Sequence, residues 1–188
     1  MAERTRGYAH RIDVRSPVEL VWRALLEPPL LAKWYGPEAR IAARAGGSYR
    51  VRADRDLLRE AHIDVFEPAR RLRLIYMPPA NLPVSDAVVV DDFILNMEGD
   101  TAVLRLLGSG FPQDESWDAY YQRLRGGWAP ALARLKVCTE QLASADTAAR
   151  VGAAAAAGAA GAADMIPMPG TSALEAPSAP TRRAFSNR

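Results

Sequence analysis

The spacing of apolar and polar positions changes character along the chain. Tyr8 to Val14 alternates, with Ile12 and Val14 on one side and Arg11, Asp13 and Arg15 on the other, which predicts a first strand. Ser16-Pro17-Val18-Glu19 then reads as a helix start. Ser16 would cap it, Pro17 suits a first turn in which its missing N–H is not needed, and Glu19 completes a capping box. Val18, Val21, Trp22 and Leu25 form the apolar face of this helix. A second short helix is predicted from Pro28-Pro29, presenting Leu30, Leu31 and Trp34 and stopped by Gly36-Pro37.

From Ile41 to Leu107 the period is two. Gly46-Gly47 reads as a hairpin turn between Glu38–Arg44 and Ser48–Ala53, with Tyr49 and Val51 sharing a face opposite Arg50 and Arg52. Ala61, Ile63 and Val65 alternate with His62 and Asp64, and Pro68 separates that strand from the next, which carries Leu72, Leu74 and Tyr76. Beyond a Pro-rich loop from Pro78 to Pro83, Val89–Met97 and Thr101–Leu107 pair across Gly99-Asp100, and Gly108 to Pro112 is expected to end the sheet. Consecutive strands with short connections predict an antiparallel meander with one buried face that needs a cover.

The cover is the stretch from Asp114 to about Leu142. Trp117, Tyr120, Tyr121, Leu124, Trp128, Ala131, Leu135 and Leu142 recur at helical steps, while Asp118, Gln122, Arg125, Arg134, Lys136 and Glu140 fall elsewhere. At ~1.5 Å per residue such a helix runs roughly 40 Å, the width of a small domain. A curved sheet and an aromatic helix face in one chain bury each other, an α+β architecture. Gly126, Gly127 and Pro130 interrupt this helix, and a bend there would lift it from the sheet beside Trp128 or simply follow the sheet's twist.

Composition narrows the functional classes. The formal charge of +2 divides evenly: from Ser144 onward Arg150, Arg182, Arg183 and Arg188 face Asp146, Asp164 and Glu175, a net of +1, which leaves +1 for the rest. Neither part has the basic excess that phosphate neutralisation needs, so no nucleic-acid partner is expected. With Cys138 as the only cysteine and His10 and His62 as the only histidines, neither a disulfide, a metal site nor a cofactor is expected. No segment has the apolar length of a membrane helix, the start lacks the apolar run of a secretory signal, and a cytoplasmic location is expected. Residues 144–188 are rich in Ala, Gly, Pro and Ser and are expected to be a disordered tail, beside a short arm at 1–7 and one domain at 8–143.

The order strand, two short helices, meander and long C-terminal helix resembles the helix-grip fold of the START-like (SRPBCC) superfamily. Within it, the chain is similar to the branch named after the C-terminal domain of the activator of the heat-shock chaperone ATPase. The residues that carry the resemblance are Ser16-Pro17 with Val21-Trp22, the run from Leu31 to Pro37, Gly46-Gly47-Ser48-Tyr49, Phe66-Glu67-Pro68 with Arg71-Leu72, Gly110-Phe111, and Gly127-Trp128 with Leu132 and Leu135. The resemblance implies a cavity between sheet and long helix that accepts a small apolar or aromatic molecule. It also admits a cyclase- or hydrolase-type enzyme using the same cavity, or a chaperone-binding module, and a homodimer is a possible assembly.

The residues expected around such a ligand are Trp22, Trp34, Tyr49, Phe93, Trp117, Tyr121 and Trp128, which join large apolar bodies to single polar tips. An ordinary core would use the same residue types. No catalytic residue is assigned. His62 lies opposite the apolar positions of its strand and is expected in solvent, Ser109 lacks a nucleophile's frame, and Cys138 reads as a small apolar residue of the helix's inner side. Asp91 shares parity with Phe93 and Leu95 and would point inward if the register ran unbroken, but a bulge at Asp91-Asp92 is expected to turn it outward.

Overall fold

The computed structural model describes residues 4–55, 57–77, 79–83 and 86–162. Strands β1 (Thr5–Val14), β2 (Glu38–Ile41), β3 (Ser48–Asp54), β4 (Leu57–Glu67), β5 (Arg71–Tyr76), β6 (Val90–Glu98) and β7 (Thr101–Pro112) form one antiparallel sheet in the order β1-β7-β6-β5-β4-β3-β2. The predicted meander is therefore continuous from β2 to β7, and β1 closes onto β7 as the far edge strand. Helices α1 (Val18–Leu26) and α2 (Pro28–Trp34) fill the connection from β1 to β2, and α3 (Asp118–Ala162) follows β7.

The core comprises one face of the sheet, from Val51, Ile63, Leu72 and Leu74 through Phe93, Leu104 and Leu106, together with Leu124, Trp128, Ala131, Leu132 and Leu135 of α3. This is the helix-grip arrangement: inward apolar positions alternate with outward ones that are polar for the most part, with Ile75, Ile94 and Leu107 as apolar exceptions, and the α3 stripe covers the inward set. Leu25, Leu31 and Trp34 of the two short helices complete the same core.

Several local expectations are corrected. β7 does not stop at Leu107 but runs to Pro112, because β1 continues beside it as far as the pair Thr5 and Pro112. Gly110 permits this extension, with φ of 79° and the Val88 carbonyl oxygen 1.8 Å from where a Cβ would stand. Ser16 does not cap α1 through its side chain; Pro17 occupies the cap position, and the buried Ser16 hydroxyl donates to the Pro17 carbonyl at 3.3 Å. Trp117 belongs to a 3-10 turn, Glu115–Trp117, whose start is held by Asp114 accepting from the Ser116 backbone N–H at 2.9 Å.

The chain divides after Ala149, and everything described below lies in the part before that point. The tail expected from Ser144 is helical as far as Ala162, and beyond that it lies outside the described residues. Alanine is the strongest helix former, and glycines at about 1 kcal/mol each do not outweigh a run of alanines between them. No helix among the described residues is long and apolar enough to cross a membrane.

Candidate functional site

Where the sheet meets the middle of α3, the core contains a charge. Arg59 of β4 and Asp91 of β6 are both fully buried, and the Arg59 Nη2 donates to Asp91 Oδ2 at 2.7 Å. The bulge expected at Asp91-Asp92 is absent: Leu72 pairs with Phe93, Arg73 with Asp92 and Leu74 with Asp91 without a break. Alternation consequently sends Asp91 into the core and Asp92 to the other face, where it accepts from Arg71 and Arg73.

The neighbouring strands are shaped around this pair. Tyr8 of β1 stands opposite Gly108 of β7, which in turn stands opposite Asp91. A Cβ on Gly108 would lie 2.2 Å from the Tyr8 ring, so the glycine is what lets that ring cross β7. Tyr8 Oη then donates to Asp91 Oδ1 at 2.6 Å and accepts from Trp128 Nε1 at 2.9 Å. From the other direction, Arg59 reaches Asp91 across the Tyr76 ring, its guanidinium carbon 3.9 Å from that ring's centre and 5.1 Å from that of Trp128. Its Nη1 donates to Tyr35 Oη at 2.9 Å. Tyr35 stacks on Trp128 with ring centres 5.0 Å apart and planes 7° apart, and Trp34 stacks on Tyr35 as well, also at 5.0 Å.

These contacts fix the protonation states. Burial, followed by the Asp91 charge, pushes the Tyr8 hydroxyl far up, and burial likewise raises Tyr35, Tyr49 and Tyr76. Burial alone would lower Arg59, but Tyr35, Tyr76 and Asp91 around it outweigh that and keep it charged. Among the described residues the site is a set of hydroxyl, indole and guanidinium donors organised on one ion pair. Among the described acceptors none reaches Arg59 Nε, a buried donor of a kind that normally costs about 1–3 kcal/mol when left unpaired.

Beside the pair a cleft of about 290 Å³ opens between α3 and the β3–β4 end of the sheet. Tyr35, Leu57, Leu124, Trp128 and Ala131 form its apolar and aromatic walls, and Arg59, Arg123 and Arg134 also line it. Residues 124, 128 and 131 come from the α3 stripe, and Gly127 and Pro130 add the open side of the same helix segment. Arg134 is oriented by donating from Nε to the Trp34 carbonyl at 2.8 Å.

The expected ligand-binding residues separate into groups. Trp128 lines the cleft, with Phe93 edge-on to it at 5.5 Å and Trp34 one ring further along the stack. Tyr121 joins through Tyr8, 6.3 Å between ring centres, but its hydroxyl donates to the Gly7 carbonyl. Tyr49 donates to the Leu25 carbonyl at 3.1 Å, Trp22 packs edge-on against Phe66, and Trp117 against Tyr120, so these three contribute to packing away from the cleft lining. Arg59, Phe93 and the Tyr8 hydroxyl pack against Trp128, where a bend lifting α3 from the sheet would have left a void. His62 is exposed and Cys138 half-buried.

Arg59, Tyr8, Tyr35 and Tyr76 were not among the expected site residues. A signal for Arg59 exists: it continues the inward parity of Ala61 and Ile63 two residues earlier, and Tyr76 continues that of Leu72 and Leu74. Tyr8 is marked by the glycine at its partner position, a relation visible only once the β1–β7 register is known.

A seven-stranded antiparallel sheet gripping a long C-terminal helix, with two short helices after the first strand, defines a START-like protein of the helix-grip class. Residues 15–140 match the family described as activator of Hsp90 ATPase homolog 1-like protein, and the chain belongs to that family. Among solved structures it is similar to protein MLL2253 from Mesorhizobium loti, with a TM-score of 0.64 and 22% identity, over 72% of this chain and 98% of that one. It is also similar to the Aha1 dimer from Colwellia psychrerythraea, with a TM-score of 0.62 and 20% identity over 72% and 96%. CalU16 from Micromonospora echinospora follows at 0.55 and 23% over 70% and 73%. A comparison with curated proteins gives no match.

Proposed function

We propose that this protein binds a small, largely aromatic molecule non-covalently in the cleft between β4 and the middle of α3. The observation that carries the reading is the cleft itself, which opens along the stacked Tyr35–Trp128 wall and is floored by a buried, rigidly held donor set. Its volume of about 290 Å³ lies just below the ~300–1,000 Å³ range of small-molecule sites, which favours a compact ring system over a lipid chain. Donors without a base favour holding a guest over proton transfer. In a thermal-shift screen of compact aromatic compounds, a true ligand at ~100 times its Kd adds about 2.7 kcal/mol of stability. Gly127 faces open space, so Gly127→Phe places a ring at the cleft without a backbone clash, and it should abolish the shift. An unchanged shift in Gly127→Phe would remove this cleft from consideration.

A second reading, action on a chaperone ATPase, is favoured by the family's own description. It predicts stimulation of Hsp90 ATP hydrolysis by the purified protein, and a flat titration would dispose of it.

A further inference from the structure

Far from the buried pair, the sheet ends on a strand edge that opens onto a groove. β2 is the last strand of the sheet and pairs with β3 alone. The Ala42 N–H donates to the Ser48 carbonyl at 2.9 Å, in the register that also sets Arg40 opposite Arg50 and Glu38 opposite Arg52. Antiparallel ladders alternate, so residues 38, 40 and 42 bond to β3 while the N–H and C=O of Ala39 and Ile41 point away from it. Neither of these two has another backbone partner among the described residues. A groove of about 630 Å³ runs along this edge. Glu38, Ala39 and Arg40 line it together although their side chains alternate between the two faces, and Pro28, Pro29 and Ala32 of α2 form its apolar far wall.

The charges beside the edge are unbalanced at one position. Glu38 is paired with Arg52 at 3.1 Å, and Glu60 of β4 with Arg50 at 2.9 Å. Arg40 stands directly opposite Arg50, an unfavourable placement of like charges, and its exposed side chain has no ion pair or hydrogen bond among the described residues. The outward row Arg40–Arg50–Glu60 therefore lacks an anion on its groove side. We infer that the groove takes an extended segment of a partner protein, which adds to β2 as a further strand and sets an acidic side chain next to Arg40. The segment's backbone pairs with Ala39 and Ile41, its carboxylate completes the row, and its alternate apolar side chains lie toward Pro28, Pro29 and Ala32. Beside Glu38, already paired with Arg52, a second acid would be repelled. The recognised pattern is thus one acid between apolar residues, not an acidic run.

The test uses the full chain and fluorescein-labelled peptides Thr-Val-X-Val-Thr, with X as Glu, Gln or Lys, titrated by fluorescence anisotropy. The Glu peptide should bind about three- to fivefold tighter than the Gln peptide, the effect of one cross-strand ion pair, and the Lys peptide should be weakest. Arg40→Gln should erase the advantage of Glu over Gln. Ala39→Pro removes an edge N–H that β3 does not use and should weaken all three peptides. A Glu peptide N-methylated at its three central residues makes the same test without altering the protein, and it should not bind. Equal binding of the Glu and Lys peptides would overturn the proposal, as would a Glu preference unchanged in Arg40→Gln, binding that survives N-methylation, or no binding by any of the peptides. A chain that sediments as a dimer, and as a monomer in Ala39→Pro, would give the edge to a second copy and overturn it as well.

Discussion

Arg59 and Asp91 face each other at 2.7 Å with neither side chain exposed, one from the fourth strand and one from the sixth, across the ring of Tyr76. Breaking a buried pair from one side leaves the other charge uncompensated, so Asp91→Ala should destabilise the protein by about 3–5 kcal/mol. Replacing both residues, as in Arg59→Met with Asp91→Leu, should restore most of that loss, since an apolar pair avoids desolvating two ions. Urea unfolding of the single and double variants measures this. A double variant as unstable as Asp91→Ala would show that the Tyr8 and Tyr35 bonds to the pair, rather than the charges, dominate.

Tyr8 links the pair to the helix, giving a hydrogen bond to Asp91 and taking one from Trp128. Tyr8→Phe keeps the ring over Gly108 but strands the Trp128 N–H and one Asp91 oxygen in the core. The expected loss is about 1–3 kcal/mol. Comparison with Tyr121→Phe, whose hydroxyl donates to the carbonyl of the exposed Gly7, separates the buried case from the peripheral one. Denaturation midpoints should fall further for Tyr8→Phe.

Much of this architecture was legible because sheet and helix periods are read directly from apolar spacing. Ile63, Leu72, Leu74, Phe93 and Leu95 all occupy the face that their alternation assigns. The centre of the site was not legible for the same reason: an arginine at an inward position is indistinguishable, by hydropathy, from the end of a strand. Its burial depends on Asp91, 32 residues away, and on Tyr76 and Trp128, and only the strand register brings these together. The Asp91-Asp92 doublet misled in a related way. Two adjacent acids in a strand look like a departure from the sheet, yet each has its own arginine partners on its own face.

Asp92 provides a pH signature. Burial raises its pKa, but the hydrogen bonds from Arg71 and Arg73 outweigh burial and hold it below the ordinary carboxylate value. A depressed folded-state pKa means that its contribution is present above the unfolded value of ~3.9 and is lost as pH falls through the folded one. The protein should therefore lose stability below about pH 4, and Asp92→Asn, which lacks this carboxylate at every pH, should show a shallower acid slope. Urea midpoints measured from about pH 6 down to 2.5 decide it, and parallel curves for the two proteins would assign the acid loss to other groups.

Gly126 and Pro130 stand four residues apart in α3, so the proline ring faces the carbonyl of the glycine and withholds the hydrogen bond that carbonyl would otherwise accept. Gly126 nonetheless has no positive φ, and a Cβ there would meet nothing within 4 Å. The backbone at 126 is helical, so alanine restricts the unfolded chain and fits the folded one, and Gly126→Ala should stabilise the protein by up to ~1 kcal/mol. The residue does not line the cleft, so affinity for an aromatic probe should be unchanged. The opposite result, a lowered urea midpoint, would mean that the chain uses the freedom of glycine at 126 to make room for the Pro130 ring. In that case the wall of the cleft formed by Gly127, Trp128 and Pro130 would owe its shape to a local departure from the helix, and the binding affinity of Gly126→Ala would fall together with its stability.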